Sequence, residues 1–287
     1  MDNALLSVSG LSVTVPSRER ADHTRGDLRL VDGVSFEIAR GERLALVGES
    51  GSGKSLTARS ILRLDSRMKL EGSISWRGED LLSVTERRMR EIRGADISLI
   101  LQDPLTALNP VMTIGQQIAE PLTERGVSRK EALKRAAEML DRLRVPRAKD
   151  RLKYYPAQFS GGMRQRVVMA AALVGEPKLL IADEPTTALD VRVQEQVLDL
   201  LEEISRELHA SVLFITHDLG IVAGLAQRVA VMFKGQIVEN GLVDTVFSHP
   251  SHPYTKGLIG SVPRLDADPS ERLRTVEDFL EETEVKS

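Results

Sequence analysis

The run Gly48-Glu49-Ser50-Gly51-Ser52-Gly53-Lys54-Ser55 constrains this chain more than any other segment, because of what flanks it. Arg43-Leu44-Ala45-Leu46-Val47 before it reads as a buried parallel strand, and Leu56-Thr57-Ala58-Arg59-Ser60-Ile61-Leu62 after it reads as an opening helix. A glycine-rich loop in that setting lets the backbone curl until several N–H groups point inward, and the helix N-terminus adds partial positive charge. Such a loop grips phosphates. In this Walker A pattern Lys54 reaches the β- and γ-phosphates of a nucleotide triphosphate, and the Ser55 hydroxyl ligates Mg²⁺. Gly48, Glu49, Ser50, Gly51, Ser52, Gly53, Lys54, Ser55 and Leu56 are then the nucleotide-binding residues. A Gly/Ser-rich loop that matches by accident is the competing reading, and the strand-loop-helix context weighs against it.

A length of 287 residues with 41% hydrophobic side chains suits one large α/β domain or two smaller ones. The net charge of −3 offers no strongly basic surface, so no nucleic-acid partner is expected. Zero cysteines exclude disulfides, thiolate zinc sites and iron–sulfur clusters. The N-terminus lacks a basic segment followed by an apolar core, and no apolar stretch approaches bilayer length. The chain is therefore expected to be soluble by itself, with any membrane role coming through partners.

Residues from Leu5 to about Ile38 alternate apolar and polar positions (Leu11, Val13, Val15, then Val34, Phe36, Ile38), which predicts two antiparallel strands. The mixed-charge segment between Pro16 and Asp27 reads as their solvated loop. Gly72 to Gly78 reads as a further short strand and Asp96 to Leu101 as a buried one. From Asp103 to about Gly175 the pattern is helical. Ser128-Arg129-Lys130-Glu131 is a capping box, with Leu133, Ala136, Ala137, Leu140 and Leu143 on one face before Pro146. Strands at Lys178 to Ala182 and Ser211 to Ile215 bracket a helix from about Val191, which implies a mainly parallel sheet covered by helices. Val229 to Phe233, a Lys234-Gly235 turn and Gln236 to Val238 predict a hairpin.

Leu179-Leu180-Ile181-Ala182-Asp183-Glu184 delivers two carboxylates at the end of an apolar strand, where open α/β sheets place their ligands. There Asp183 suits the Mg²⁺ shell, and Glu184 suits the orientation and deprotonation of an attacking water. Ser160-Gly161-Gly162-Met163-Arg164-Gln165-Arg166 opens onto a helix as a second backbone anion site. One chain does not obviously need two γ-phosphate sites.

At this point the chain resembles the ATP-binding cassette (ABC) family, from about Leu5 to Asp266. The shared elements are the phosphate loop, Gln102 at the end of a strand, the Ser160-Gly161-Gly162 signature, the Asp183-Glu184 strand, Thr187-Ala188-Leu189-Asp190, and Thr216-His217-Asp218. The resemblance implies an α/β nucleotide-binding domain over residues 1–247. It would hold a P-loop core with a mainly parallel sheet, an N-terminal antiparallel β subdomain, and a helical subdomain at about 103–175 that carries the signature. It also implies a head-to-tail dimer holding two ATP molecules with Mg²⁺. Gln102 would sense the γ-phosphate and the metal, which gives Ser55, Gln102 and Asp183 as metal ligands. His217 would contact the γ-phosphate, so Glu184, His217, Gln102 and Lys54 form the catalytic set. Ser160, Gly161, Gly162, Gln165 and Asp190 would serve the opposing subunit's ATP. Many members stack adenine on an aromatic residue at the end of the first strand, whereas the matching position here is Val15.

Gln102-Asp103-Pro104-Leu105-Thr106-Ala107-Leu108-Asn109-Pro110, Tyr155-Pro156, and a tail running from His249-Pro250-Ser251-His252-Pro253-Tyr254 to Asp266 resemble the oligopeptide, dipeptide and nickel importer subfamily. That resemblance implies an ATPase at the cytoplasmic face of the membrane, peripheral through two integral membrane permease subunits. A second ATPase, identical or paralogous, and an extracellular solute-binding protein would complete the assembly. Peptide, nickel and oligosaccharide all stay open as solutes. Residues 248–287 form a subfamily-type tail without its cysteine segment, and Leu273, Val276 and Leu280 could form a short amphipathic seam there. His249 and His252 lack a third ligand at metal spacing. The alternative is a soluble cassette ATPase acting on nucleic acid or the ribosome. The short span between Lys54 and Ser160, and the presence of one cassette only, speak against it.

Overall fold

Apolar residues at every second position of the N-terminal segment form two long strands, β1 (Ala4–Pro16) and β2 (Asp27–Ala39), in a computed structural model that describes residues 4–16, 27–186, 190–261 and 279. There follow β3 (Arg43–Val47), α1 (Lys54–Ile61), β4 (Lys69–Trp76), β5 (Glu79–Asp80), α2 (Glu86–Ile92), β6 (Ile97–Ile100) and α3 (Pro104–Ala107). The helical stretch continues with α4 (Ile114–Thr123), α5 (Arg129–Arg142), α6 (Ala148–Arg151) and α7 (Gly161–Leu173). The chain then forms β7 (Leu179–Asp183), α8 (Val191–Glu207), β8 (Ser211–Thr216) and α9 (Leu219–Leu225). It continues through β9 (Arg228–Phe233), β10 (Gln236–Leu242), α10 (Val243–Ser248) and α11 (Pro253–Gly260). The charged loop between Pro16 and Asp27, Thr187-Ala188-Leu189, and the tail seam at Leu273, Val276 and Leu280 lie outside the described residues.

The chain divides into two compact units, one of residues 1–39, 43–83 and 214–287, the other of residues 40–42 and 84–213. In the first unit, an antiparallel sheet has the order β2-β1-β4-β5. Val13 pairs with Val31, Val15 with Leu28, and Leu6 with Trp76 across the register of β1. Bulges along β1 break strict alternation, so the strand is more buried than a period-two pattern implies. The same unit holds β3, parallel to β9, which is antiparallel to β10. Leu44 to Val47 are fully buried, as a strand covered on both faces requires. Lys234 (φ 46°) and Gly235 (φ 85°) close the β9–β10 hairpin with two left-handed residues, the turn whose twist matches its strands.

In the second unit β6 pairs parallel with β7, and α4 to α7 form a helical group. Side-chain caps open these helices: Ser128 Oγ accepts from the Glu131 amide at 3.3 Å, and Thr113 with Gln116 forms a reciprocal box on α4. Each such cap contributes about 1 kcal/mol. The buried seam of α5 is Ala132, Ala136, Met139 and Leu140, with Leu143 after it. Leu133 and Ala137, expected on that face, are half-buried at its edge instead. The seam is rotated because Ala132 and Met139, which the sequence pattern passed over, take the inward positions. β8 carries the chain out of this unit and into the first.

Candidate functional site

In the first unit β3 delivers the chain into the phosphate loop. Gly48 has φ 152°, and a Cβ there would lie 2.1 Å from the Met232 carbonyl oxygen, so only glycine fits. Helix α1 begins after Gly53, which brings no side-chain cap, so nothing of its own competes for the first amides. An anion at that position meets N–H groups and the positive end of the helix. Lys54 is buried at 4% exposure, and its Nζ donates to the carbonyls of Gly48 at 2.7 Å and Glu49 at 2.8 Å. The loop closes through Ser52 N to Glu49 O at 3.2 Å, and the hairpin braces it through Gly235 N to Ser52 O at 3.0 Å.

Tyr254 of α11 reaches the same loop. Its hydroxyl accepts from the Glu49 amide at 2.9 Å, its ring stacks on Phe233 with centroids 4.1 Å apart, and it is fully buried. Burial pushes its phenol above the ordinary value, against the pull of the Glu49 hydrogen bond, so the hydroxyl stays protonated at neutral pH. Sequence reasoning passed over Tyr254, Met232 and Phe233. Tyr254 lies in the tail that resembles the importer subfamily, but no local pattern marks any of the three as a neighbour of the loop, since they meet it only in three dimensions. His252 Nδ1 accepts the Tyr254 amide at 3.1 Å, and His249 Nδ1 lies 2.9 Å from Ser248 Oγ, which places both histidines in local caps. His217 stands exposed after β8, where Asp218 Oδ1 caps α9 by accepting from the Gly220 amide at 2.8 Å.

Val15 is half-buried and sits opposite Leu28 on β2. Leu28 and Leu30 are exposed at 47% and 38%. The Leu30 carbonyl oxygen is 3.2 Å from where a Cβ on Gly53 would stand, so this apolar strip borders the phosphate loop.

In the second unit, Gln102 follows β6 and Glu184 follows β7, and the parallel pairing of those strands brings the two side chains together. Gln102 Nε2 donates to Glu184 Oε2 at 2.7 Å. Glu184 has φ 45°, a left-handed backbone that costs a non-glycine residue roughly 1 kcal/mol or more, and such conformations cluster at functional sites. The Asp183 carboxylate is fully buried at the end of β7. Ser160 caps α7 by accepting from the Met163 amide at 3.4 Å. A Cβ on Gly162 would lie 2.7 Å from Val193 Cγ1, so α7 and α8 approach closely there. Asp190 caps α8 through Oδ1, which accepts from the Val193 amide at 3.0 Å. Gln165 is 1% exposed, with its side chain turned into the unit.

The donors expected for Mg²⁺ fit that ion. A serine hydroxyl at Ser55, the amide oxygen of Gln102 and the carboxylate of Asp183 are hard oxygen ligands. Among the described residues no group of three or more His, Cys, Asp or Glu forms a cage. Mg²⁺ bound through one or two carboxylates together with substrate phosphates needs none.

Residues 31–187 match the family described as ABC transporter, and residues 238–284 match the oligopeptide/dipeptide transporter C-terminal region. The chain is 52% identical over 250 residues to the dipeptide transport ATP-binding protein DppD of Bacillus subtilis, covering 86% of this chain and 75% of that one. It is 48% identical over 255 residues to the oligopeptide transport ATP-binding protein OppD of the same organism, covering 88% and 71%. Among solved structures it is similar to the dimeric post-hydrolysis state of the ATP-binding cassette MJ0796 bound to ADP and Pi. The TM-score is 0.71 at 27% identity, covering 83% of this chain and 98% of that one.

Proposed function

The chain belongs to the ABC transporter family of ATP-binding proteins, and from that premise we propose that it hydrolyses ATP to drive peptide uptake through membrane permease subunits. The observation that carries the hydrolytic part is the Gln102–Glu184 hydrogen bond at 2.7 Å. It orients a carboxylate held on a left-handed backbone after β7, as a base that must aim at one water requires. Peptide as the solute rests on the match of residues 238–284 and on the relatives named for dipeptide and oligopeptide transport. A soluble cassette ATPase working on nucleic acid or the ribosome finds no support in either.

In this reading the phosphate loop and α1 bind the triphosphate, and Lys54 moves from the Gly48 and Glu49 carbonyls to the β- and γ-phosphates. Glu184 takes the proton of the attacking water, Gln102 keeps that carboxylate aimed, and His217 steadies the γ-phosphate. Ser55, Gln102 and Asp183 hold Mg²⁺, which neutralises charge developing on the phosphate oxygens when bound. Ser160, Gly161, Gly162 and Asp190 serve the ATP of a second ATPase subunit, identical or paralogous, whereas Gln165, expected with them, is at 1% exposure too buried in its own unit to reach it. Adenine rests on the strip of Val15, Leu28 and Leu30 in place of an aromatic ring.

Residues 1–247 are then the nucleotide-binding part and 248–287 the subfamily tail. Among the described residues no helix is long and apolar enough to cross a membrane. Attachment at the cytoplasmic face through permeases rests on the relatives named as transport ATP-binding proteins. Val111, 80% exposed beside Pro110, is the apolar contact offered to them, and an extracellular solute-binding protein supplies the peptide. Co-purification with two polytopic membrane proteins, lost in Val111→Glu, is the expected result. ATPase activity stimulated by DNA or ribosomes, with no membrane partner, would overturn the proposal.

A further inference from the structure

A phosphate-binding loop presents a run of amides to its anion, and ordering each residue costs about 1–2 kcal/mol of conformational entropy unless fixed groups hold the curve in advance. The Gly48–Glu49 peptide shows how this loop is held. Its carbonyl accepts from Lys54 Nζ at 2.7 Å, and its N–H donates to the Tyr254 hydroxyl at 2.9 Å. Because a peptide unit is planar, fixing the N–H fixes the direction of the carbonyl on the opposite side. The phenol therefore sets the direction of one of the two carbonyls that hold the Lys54 ammonium, although it lies 205 residues further along the chain than Glu49.

Tyr254 is itself anchored. Its ring stacks on Phe233, one residue after Met232, whose carbonyl oxygen meets Gly48. The turn that starts α11 is tied to β10 by Glu239, which accepts from the amides of Ser251 at 2.8 Å and His252 at 3.1 Å and from Ser251 Oγ at 2.8 Å. A continuous set of contacts thus runs from β10 through α11 to the phosphate loop, all within the first unit.

We propose that Tyr254 is a positioning residue for nucleotide binding, whose hydroxyl holds the Gly48–Glu49 peptide, and with it the curve of the phosphate loop, in place before the triphosphate arrives. The C-terminal region is then a working part of the nucleotide site. This rests on the ATP-binding reading above.

Tyr254→Phe removes the hydroxyl and keeps the ring stack. In the full-length protein, ATP affinity measured with a fluorescent ATP analogue is expected to fall about fivefold, equivalent to about 1 kcal/mol for one lost hydrogen bond. KM for ATP is expected to rise by a similar factor, with kcat changed less than about twofold and the melting temperature lowered by no more than about 4 °C. A purely structural role would lower the melting temperature and leave affinity alone, and that result would overturn the proposal. Residue-resolved hydrogen exchange on the wild-type protein gives a test that does not depend on the variant folding. The Glu49 amide is expected to exchange slowly, and exchange as fast as in an exposed turn would count against the role of Tyr254. Equal ATP affinity in wild type and variant overturns this role alone, whereas no ATP binding in the wild type overturns the nucleotide reading itself.

Discussion

Gly48→Ala tests whether the observed curve of the phosphate loop is the one that binds ATP. At φ 152° an L side chain sits in backbone space that is nearly glycine-only, at about 1–3 kcal/mol. The new Cβ would stand 2.1 Å from the Met232 carbonyl oxygen and 3.0 Å from Ser52 Oγ. A serine side chain can turn away, but a carbonyl in the β9 ladder cannot, so relief must come from the loop or the strand at a further cost of about 1–3 kcal/mol. The sum of about 2–6 kcal/mol is a large share of a typical domain's 5–15 kcal/mol. Movement of the loop also carries away the Gly48 carbonyl that holds Lys54. Thermal unfolding followed by circular dichroism is expected to shift down by roughly 10 °C. Calorimetric titration is expected to give ATP affinity at least about tenfold weaker, a loss of about 1.4 kcal/mol. A variant within about 2 °C of wild type and with unchanged affinity would refute the steric argument and the placement of the loop against Met232.

Lys54→Ala is expected to abolish measurable ATP binding while leaving the fold intact, and normal affinity by the same titration would count against the phosphate-loop assignment. Burial works to raise the Glu239 carboxyl, but the hydrogen bonds from Ser251 and His252 prevail and hold it below its usual value of 4.5. A depressed folded-state value means that its contribution is present above pH 4.5 and is lost as pH falls through the folded value. The stability gap between wild type and Glu239→Gln, followed by denaturant unfolding, should therefore narrow below pH 4.5, and a gap that widens in acid would refute it.

What the sequence disclosed were features written in a few neighbouring residues. The phosphate loop, the Asp183-Glu184 strand end and the Ser160 cap each depend on local backbone geometry, so residue type and spacing were enough. The β9–β10 turn was legible for the same reason. The seam of α5 was legible at Ala136, Leu140 and Leu143 but misread at its edge, because Leu133 looks like a better core residue than Ala132, and only the packing of neighbouring helices decides between them. Pairs joined through tertiary structure left no local trace. Gln102 meets Glu184 across 82 residues, and Tyr254 meets Glu49 across 205. Met232 bears on Gly48 through a carbonyl oxygen, a group every residue carries, so no side-chain pattern could have announced it.

The central claim, that Glu184 is the base of an ATPase working as a dimer, is tested most directly by Glu184→Gln. The substitution preserves size and an oxygen that can still accept from Gln102, and it removes the charge that takes the proton. Single-turnover hydrolysis is expected to slow by about 10²–10⁴-fold, while ATP stays bound and size-exclusion chromatography shows an ATP-dependent dimer. Wild-type turnover in that variant, or a chain that stays monomeric with ATP bound both alone and beside its paralogous ATPase subunit, would contradict the account.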